Sequence, residues 1–554
     1  KGASQGGNCM LKSLHGFVVA GVFLLPLSGM AQQPSPAPQM QTSQAPDARE
    51  EGENPNALRL SLDQAVRATV ENNLGVRLEG YDYRMQGWTA RSQYGIFDIN
   101  SFANLSTTDR QPAAEESPNI LNNRASIGAR QFLPTGADYQ VSFFNSETTV
   151  VEPAYDSDLG FAFNQPLLRD FGVDINRRGI NIARNTLGIS QESFRNALLL
   201  GVLGAEQAYY DLIYARQNLE VVRQSLDLAM DQSRITQIRI DVGASAPLDI
   251  LEPRVAIATR EEAVISGEAA VRDAEDRLRR WMNLPASEWD RPIIPTDPIT
   301  FTPVEVDIEA SVARAFELRP EIRQASLAIE NQEIEYLYAR NQVLPQLDLN
   351  LDYGLVGAGG NQIIRDPLTN EPIGVVGGVF SDALNQVFGF DFPTWSAGFQ
   401  VGVPIKNVQA RANRRRAELN LERSEQARID VRQDIAIQVR QAARDIGTAA
   451  RQIAASQAAR DAAEQNLEAE RRRFENGMST NFDVLRVQQA LTEARSREIA
   501  ALVRHNQAVA AYHRAVGDLL QMRGITVEDR FERFNLPESR LERVDWLNYG
   551  YWAD

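Results

Sequence analysis

The chain has 554 residues but only one cysteine and three histidines, and lysine supplies just three of its 57 basic residues, leaving 54 arginines. One cysteine excludes a disulfide framework and a cysteine-rich zinc site. His15 lies in an apolar leader, and His505 and His513 stand eight apart without a third ligand, so no metal is expected. There is no excess of positive charge either. The net charge is −16, whereas a nucleic-acid binder presents a basic face, so no nucleic-acid partner is expected. The clusters Arg414-Arg415-Arg416 and Arg471-Arg472-Arg473 read as solvated helix faces. No nucleophile elbow, phosphate-binding loop or dinucleotide fingerprint occurs, so neither catalytic residues nor a cofactor are expected. Beyond residue 31 no apolar run approaches the ~20 residues that a spanning helix needs.

What is present begins with a leader. From Met10 the chain has Lys12, an apolar run over 16–27 and then Ser28-Gly29-Met30-Ala31, which together predict a cleaved signal peptide over 1–31. Cys9 precedes the apolar run, where no lipid anchor would use it. Residues 32–57 hold Pro34, Pro36, Pro38, Pro46 and Pro55 among Gln, Ser and Ala, and read as a disordered leader. If such an exported chain spans a membrane, it does so with strands.

The body of the sequence is duplicated. Ser61-Leu62-Asp63, Val70-Glu71 and Val76-Arg77 match Asp307-Ile308-Glu309, Phe316-Glu317 and Ile322-Arg323 at an offset of 246. Gln207-Ala208, Asp211, Gly243, Asp249 and Leu251 match Gln441-Ala442, Asp445, Gly477, Asp483 and Leu485 at an offset of 234. A repeat replaces the several globular domains that length alone suggests with one structural unit used twice. The predicted organisation is a first repeat over 58–284, a Pro-rich connection over 285–306, a second repeat over 307–520 and a tail over 521–554.

Each repeat carries strand segments, about 97–166 and 344–404, followed by a long helix. Leu347, Leu349, Leu351 and Tyr353 alternate with Asp348, Asn350 and Asp352, and Leu159, Phe161 and Phe163 alternate with Gly160, Ala162 and Asn164. The apolar face is either the core of a soluble sandwich or the lipid-facing side of a barrel with a wet interior. Residues 180–241 and 410–475 contain no proline and little glycine. At 1.5 Å per residue they predict rods of roughly 95 to 100 Å. Ala208, Leu212, Ala215, Leu219, Val222, Leu226 and Ala229 trace a coiled-coil seam, repeated by Ala442, Ile446, Ala449, Ile453 and Ser456 and broken at Arg460. Return helices after each turn, and opening helices over 61–94 and 307–342, are each about half as long, so two short helices match one long one.

This layout resembles the TolC-type outer membrane factors. The carrying residues are Leu60-Ser61-Leu62-Asp63-Gln64-Ala65 through Glu71-Asn72-Asn73, the junctions Gln165-Pro166-Leu167-Leu168 and Val403-Pro404-Ile405, and the two turns running from Gly243 to Leu251 and from Gly477 to Leu485. The resemblance spans about 58–520. It implies a mainly helical fold with membrane strands: a homotrimer whose twelve helical columns form a periplasmic α-barrel continuous with an outer-membrane β-barrel. It further implies a passive exit duct, not an enzyme, working with a periplasmic adaptor and an inner-membrane transporter and seated in outer-membrane lipid. A coiled-coil scaffold or adhesin is the competing reading.

In the family, acidic residues after the turn narrow the periplasmic entrance, which makes Asp249 and Asp483 gate candidates, with Glu252 and Arg486 one turn on. The alternative is that these carboxylates cap their helices, or that Asp483 pairs with Arg486. Gly243, Ala244, Ser245, Gly477, Met478 and Ser479 are the candidates for adaptor contact, against the plainer reading that tight turns need glycine. The Tyr and Arg that latch neighbouring coils in the best-known member of the family fall on Phe474 and Ser479, so closure uses other contacts or is looser. Two features depart from the family, whose members contribute two strands per repeat. Residues 124–132 and 139–144 look like an added hairpin, inside the barrel or outside it. The segment 354–394 holds Phe388, Phe390 and Phe392, which with Trp395 form either an interfacial girdle or the core of a loop.

Overall fold

The computed structural model describes residues 56–111, 119–150 and 152–526. The expected signal peptide, nearly all of the proline-rich leader and the tail beyond Thr526 lie outside these residues. The first half runs through β1 (Leu58–Leu60), α1 (Leu62–Asn72), α2 (Leu74–Ser92), β2 (Asn100–Arg110), β3 (Ile120–Phe132), β4 (Asp138–Thr149), β5 (Pro153–Pro166), the long α3 (Arg178–Asp241) and the return helix α4 (Leu251–Met282). The connection holds β6 (Ile293–Pro295). The second half follows with α5 (Ile308–Leu318), α6 (Pro320–Asn341), β7 (Gln346–Gly360), a small hairpin of β8 (Gln362–Arg365) and β9 (Pro372–Val376), α7 (Phe380–Gly389), β10 (Pro393–Gly402), the long α8 (Val408–Glu475) and α9 (Asn481–Val516). No helix among the described residues is long and apolar enough to cross a membrane.

The two rods contain 64 and 68 residues, about 96 and 102 Å of helix. Ala208, Leu212, Ala215 and Leu219 are buried along α3 as the seam predicts, but the seam then shifts. Ser225 is buried in place of Leu226, followed by Ala229, Gln232 and Thr236. Here α3 meets α9 as well as α4, and the second partner turns a different face inward: Thr492 on α9 donates to Ser225 Oγ at 2.9 Å. On α8 the apolar series through Ile453 gives way to Arg460, which pairs with Glu498 on α9 at 2.9 Å, while the helix itself continues unbroken.

The opening helices are each interrupted, contrary to the single helices expected over 61–94 and 307–342. Asn73 (φ −57°, ψ 128°) and Arg319 (φ −71°, ψ 125°) leave the helical region at equivalent positions of the repeat. Pro320 forces the break at Arg319 by its clash with the preceding residue. In the first half Asn73 does the same work without proline, accepting from Val76 N at 3.1 Å to cap α2. The duplication extends to their anchors: Asn73 Nδ2 donates to Trp281 O at 2.9 Å and Arg319 Nη1 to Ala515 O at 3.1 Å. Trp281 and Ala515 are themselves equivalent, at the offset of 234.

The largest apolar cluster lies where β1 and β6 pair in parallel beside α1, α3 and α4, and includes Leu62, Val66, Leu198, Leu278, Met282 and Ile293. Inside it the hydroxyl of the buried Tyr209 lies 2.8 Å from Asp297 Oδ2 and 3.0 Å from Leu60 O, joining the connection to the start of the first repeat.

The strands form one antiparallel sheet in the order β10-β7-β5-β4-β3-β2. The first half contributes four strands and the second two. The segment 124–144 is no appendage, because β4 pairs along its whole length with β3 on one side and β5 on the other. One sheet face is apolar and largely exposed, with Ile127, Phe161, Tyr353 and Phe399 among its residues, while Asp352, Asn350 and Asn164 face the other way. Among the described residues no second layer covers most of the apolar face.

Candidate functional site

Both rods end in the same turn. Gly243 N donates to Ile240 O at 2.9 Å and Ala244 N to Arg239 O at 2.7 Å; Gly477 N donates to Phe474 O at 3.0 Å and Met478 N to Arg473 O at 2.8 Å. Gly243 (φ 76°) and Gly477 (φ 73°) adopt the left-handed conformation that a Cβ penalises, in otherwise open space. Glycine is therefore required by the backbone at both positions, whatever the surface meets. Ala244 and Met478 are exposed, and Ser245 and Ser479 are half-buried. Ser479 donates to Glu470 on the preceding rod.

The four acidic-gate candidates fall at the starts of the return helices. Asp249 is exposed and accepts from Ala246 N at 3.0 Å, closing its own turn. Glu252 is exposed on the first turn of α4. Asp483 is gripped twice: the Thr480 hydroxyl donates to Oδ2 at 2.7 Å and Arg486 Nη2 to Oδ1 at 3.2 Å. The Thr480 hydrogen bond and then the nearby guanidinium hold its carboxyl below the usual carboxylate range. The structure thus brings Asp483 and Arg486 together, and Asp249 caps its own turn.

A polar clamp between the two tips was not anticipated. Arg239, near the end of α3, stacks 4.2 Å from the Phe474 ring centroid and donates to Phe474 O at 2.9 Å and Glu475 O at 3.3 Å. Just above, the buried Asn481 Oδ1 accepts from Gln232 Nε2 at 2.8 Å and from Thr236 Oγ1 at 2.9 Å. Higher again, the buried Arg260 of α4 donates to Ser225 O at 2.8 Å and to Gln488 Oε1 at 3.1 Å. These bonds tie the first coil to the second within one chain. The one readable signal was Thr236, which stands on the continuation of the predicted seam where an apolar side chain belongs.

At the far end of the strands, α7 lies on the apolar sheet face. Its Ala383 and Val387 are fully buried against β7, where a Cβ on Gly357 would come within 2.0 Å of Ala383 O. Phe388, Phe390, Phe392 and Trp395 are 55% to 77% exposed, so the loop's small core is built without them. No group of acidic, histidine or cysteine side chains suited to a metal occurs among the described residues.

The sequence profile of the outer membrane efflux protein family matches residues 153–284 and 312–518. No curated protein matches the sequence significantly. Among solved structures, the outer-membrane channel OprN is 16% identical with a TM-score of 0.62, covering 82% of this chain and 89% of its own. Campylobacter jejuni CmeC, another outer membrane channel, is 15% identical with a TM-score of 0.62 over 83% of this chain and 86% of its own. The open state of Neisseria gonorrhoeae MtrE is 15% identical with a TM-score of 0.57 over 83% and 89%. With the family profile on both repeats and the duplicated architecture of helices and strands, the chain belongs to the outer membrane efflux protein family, whose channels sit in the outer membrane with a long periplasmic helical extension.

Proposed function

We propose that three copies of this chain form the exit duct of a tripartite efflux or type I secretion system, conducting substrates passively from an inner-membrane transporter and its periplasmic adaptor. The observation that carries this reading is the six-stranded sheet with one exposed apolar face and two unpaired edges, mounted on duplicated rods of about 100 Å. A sheet with an apolar outer face needs lipid, and open edges in lipid need partners, which further copies supply. The exposed aromatics around α7 suit a girdle at the outer interface of the bilayer.

At the other end, the twin turns are the adaptor-contact surface, with Ala244, Ser245, Met478 and Ser479 meeting the adaptor while Gly243 and Gly477 set the backbone. Three-fold symmetry brings Asp249 and Asp483 toward the axis as the entrance constriction. There Arg486 offsets the charge of Asp483, and Arg239 on Phe474 holds the two coils of a protomer together in place of the family's latch. Charged rings of this kind select ions by sign. Native mass spectrometry of protein extracted from outer membranes, combined with photo-crosslinking from Met478, tests the reading. A trimer that crosslinks to a periplasmic adaptor is expected. A monomer recovered from the periplasm would favour a coiled-coil scaffold.

A further inference from the structure

We infer that the sheet closes between protomers through β2 and β10, giving the trimer an eighteen-stranded barrel in place of the twelve strands implied by two strands per repeat. The inference rests on the trimeric reading above and adds to it which strands meet and how wide the pore is.

The apolar face runs across all six strands. Directly opposed residues run Ala103, Ile127, Phe143, Leu159, Leu355 and Pro393 from β2 to β10, one from each of the six strands, with no polar interruption. The adjacent row carries Ala129, Val141, Phe161, Tyr353 and Trp395, with Ser101 as its one polar member at the β2 end. A hairpin standing outside the barrel in water would have no use for this stripe, and Leu105 and Ile127 would waste 85% and 60% of their surface on solvent. Joined to lipid, the same residues extend the belt of β5, β7 and β10 around two more strands.

Strand direction fits as well. β2 climbs away from the helical part and β10 descends into α8, so β10 of one copy beside β2 of the next is antiparallel, like every other pair in the sheet. The two edges are of similar length, 11 and 10 residues. In hydrocarbon neither can be left unpaired, and each supplies what the other lacks.

The count sets the width of the pore. Strands about 4.8 Å apart and tilted about 40° occupy roughly 6.3 Å of circumference each, so eighteen make a barrel about 36 Å across its backbone and twelve one of about 24 Å.

Cysteine pairs in the full-length chain carrying Cys9→Ser decide the matter. Ala103→Cys on β2 is combined in turn with Pro393→Cys, Trp395→Cys, Ala397→Cys, Phe399→Cys and Val401→Cys, the five positions of β10 on the same face. Val141→Cys on β4 with the same five positions tests the alternative, in which β2 and β3 leave the sheet and β4 becomes the edge. Oxidation in outer membranes is expected to link β2 to β10 between chains in at least one register and never β4 to β10. Links from β4, or an intact trimer on native mass spectrometry with no β2 link, would overturn the eighteen-stranded closure while leaving the trimeric duct standing. Absence of any trimer would overturn both.

Discussion

At the scale of single residues, Asp249, Asp483 and Arg486 are each bonded within their own turn, which limits the charge they would present at the proposed entrance. Asp483 is held by Thr480 and Arg486, so the net charge it offers to a passing ion is smaller than a bare carboxylate would offer. Arg486→Ala should therefore raise the preference for cations over anions, measured as the reversal potential across a salt gradient, and Asp483→Ala should lower it. An unchanged reversal potential in both variants would remove these residues from the constriction. The turn glycines make a different prediction. Alanine at Gly243 or Gly477 meets no neighbour but must adopt positive φ, at a cost of about 1 kcal/mol. Amides of the last turn of α3 or α8 should then exchange about fivefold faster with deuterium. His505 adds a pH dependence. Its ring is 1% exposed, stacks edgewise on Phe301 at 4.9 Å and finds no hydrogen-bond partner within the protein. Burial pushes its pKa below the ordinary 6.5, so the unfolded chain binds the proton more readily. Stability is complete above that ordinary value and is lost as the pH falls below it. The melting temperature should drop from neutral pH to about pH 5, and His505→Leu should drop less; equal losses would contradict the assignment.

At the scale of elements, the break in each opening helix is where the two halves of the repeat solve one problem with different chemistry. Asn73 uses a neutral side chain, whereas Arg319 is 4% exposed and spreads its donors over Ala515 O, Gln438 and Glu321. Arg319→Ala should cost about 2 kcal/mol, because Ala515 O loses its side-chain donor and Glu321 keeps only the 3.9 Å contact to Arg514. Asn73→Ala should cost about 1 kcal/mol, the usual worth of a cap. Denaturant titration of the detergent-solubilised protein, followed by helical circular dichroism, checks the ranking. The rods and turns were legible because proline scarcity, periodicity and a paired glycine are local signals. The breaks were only half legible: Pro320 announces one, but nothing local marks Asn73, whose anchor on Trp281 is more than 200 residues away. The Arg239 clamp was illegible for the same reason, since the register between two coils decides which polar side chain reaches which carbonyl. The strand count was obscured because β2 is a polar, weakly alternating edge whose membership shows only against β3.

At the scale of the whole molecule, duplication, an open apolar sheet and paired rods are parts of one design that a single chain leaves unfinished. The negative charge and the scarcity of cysteine and histidine then belong to the walls of a conduit. In the proposed duct, contacts within a chain such as Arg239 on Phe474 would hold the two coils together at the entrance. The most direct test of the central claim is the single-channel conductance of the purified protein in a planar lipid bilayer, alone and with Arg239→Ala. Small discrete steps are expected from the native protein and larger, more frequently open steps from the variant. Silence from both, with the trimer present in the membrane, would contradict that claim.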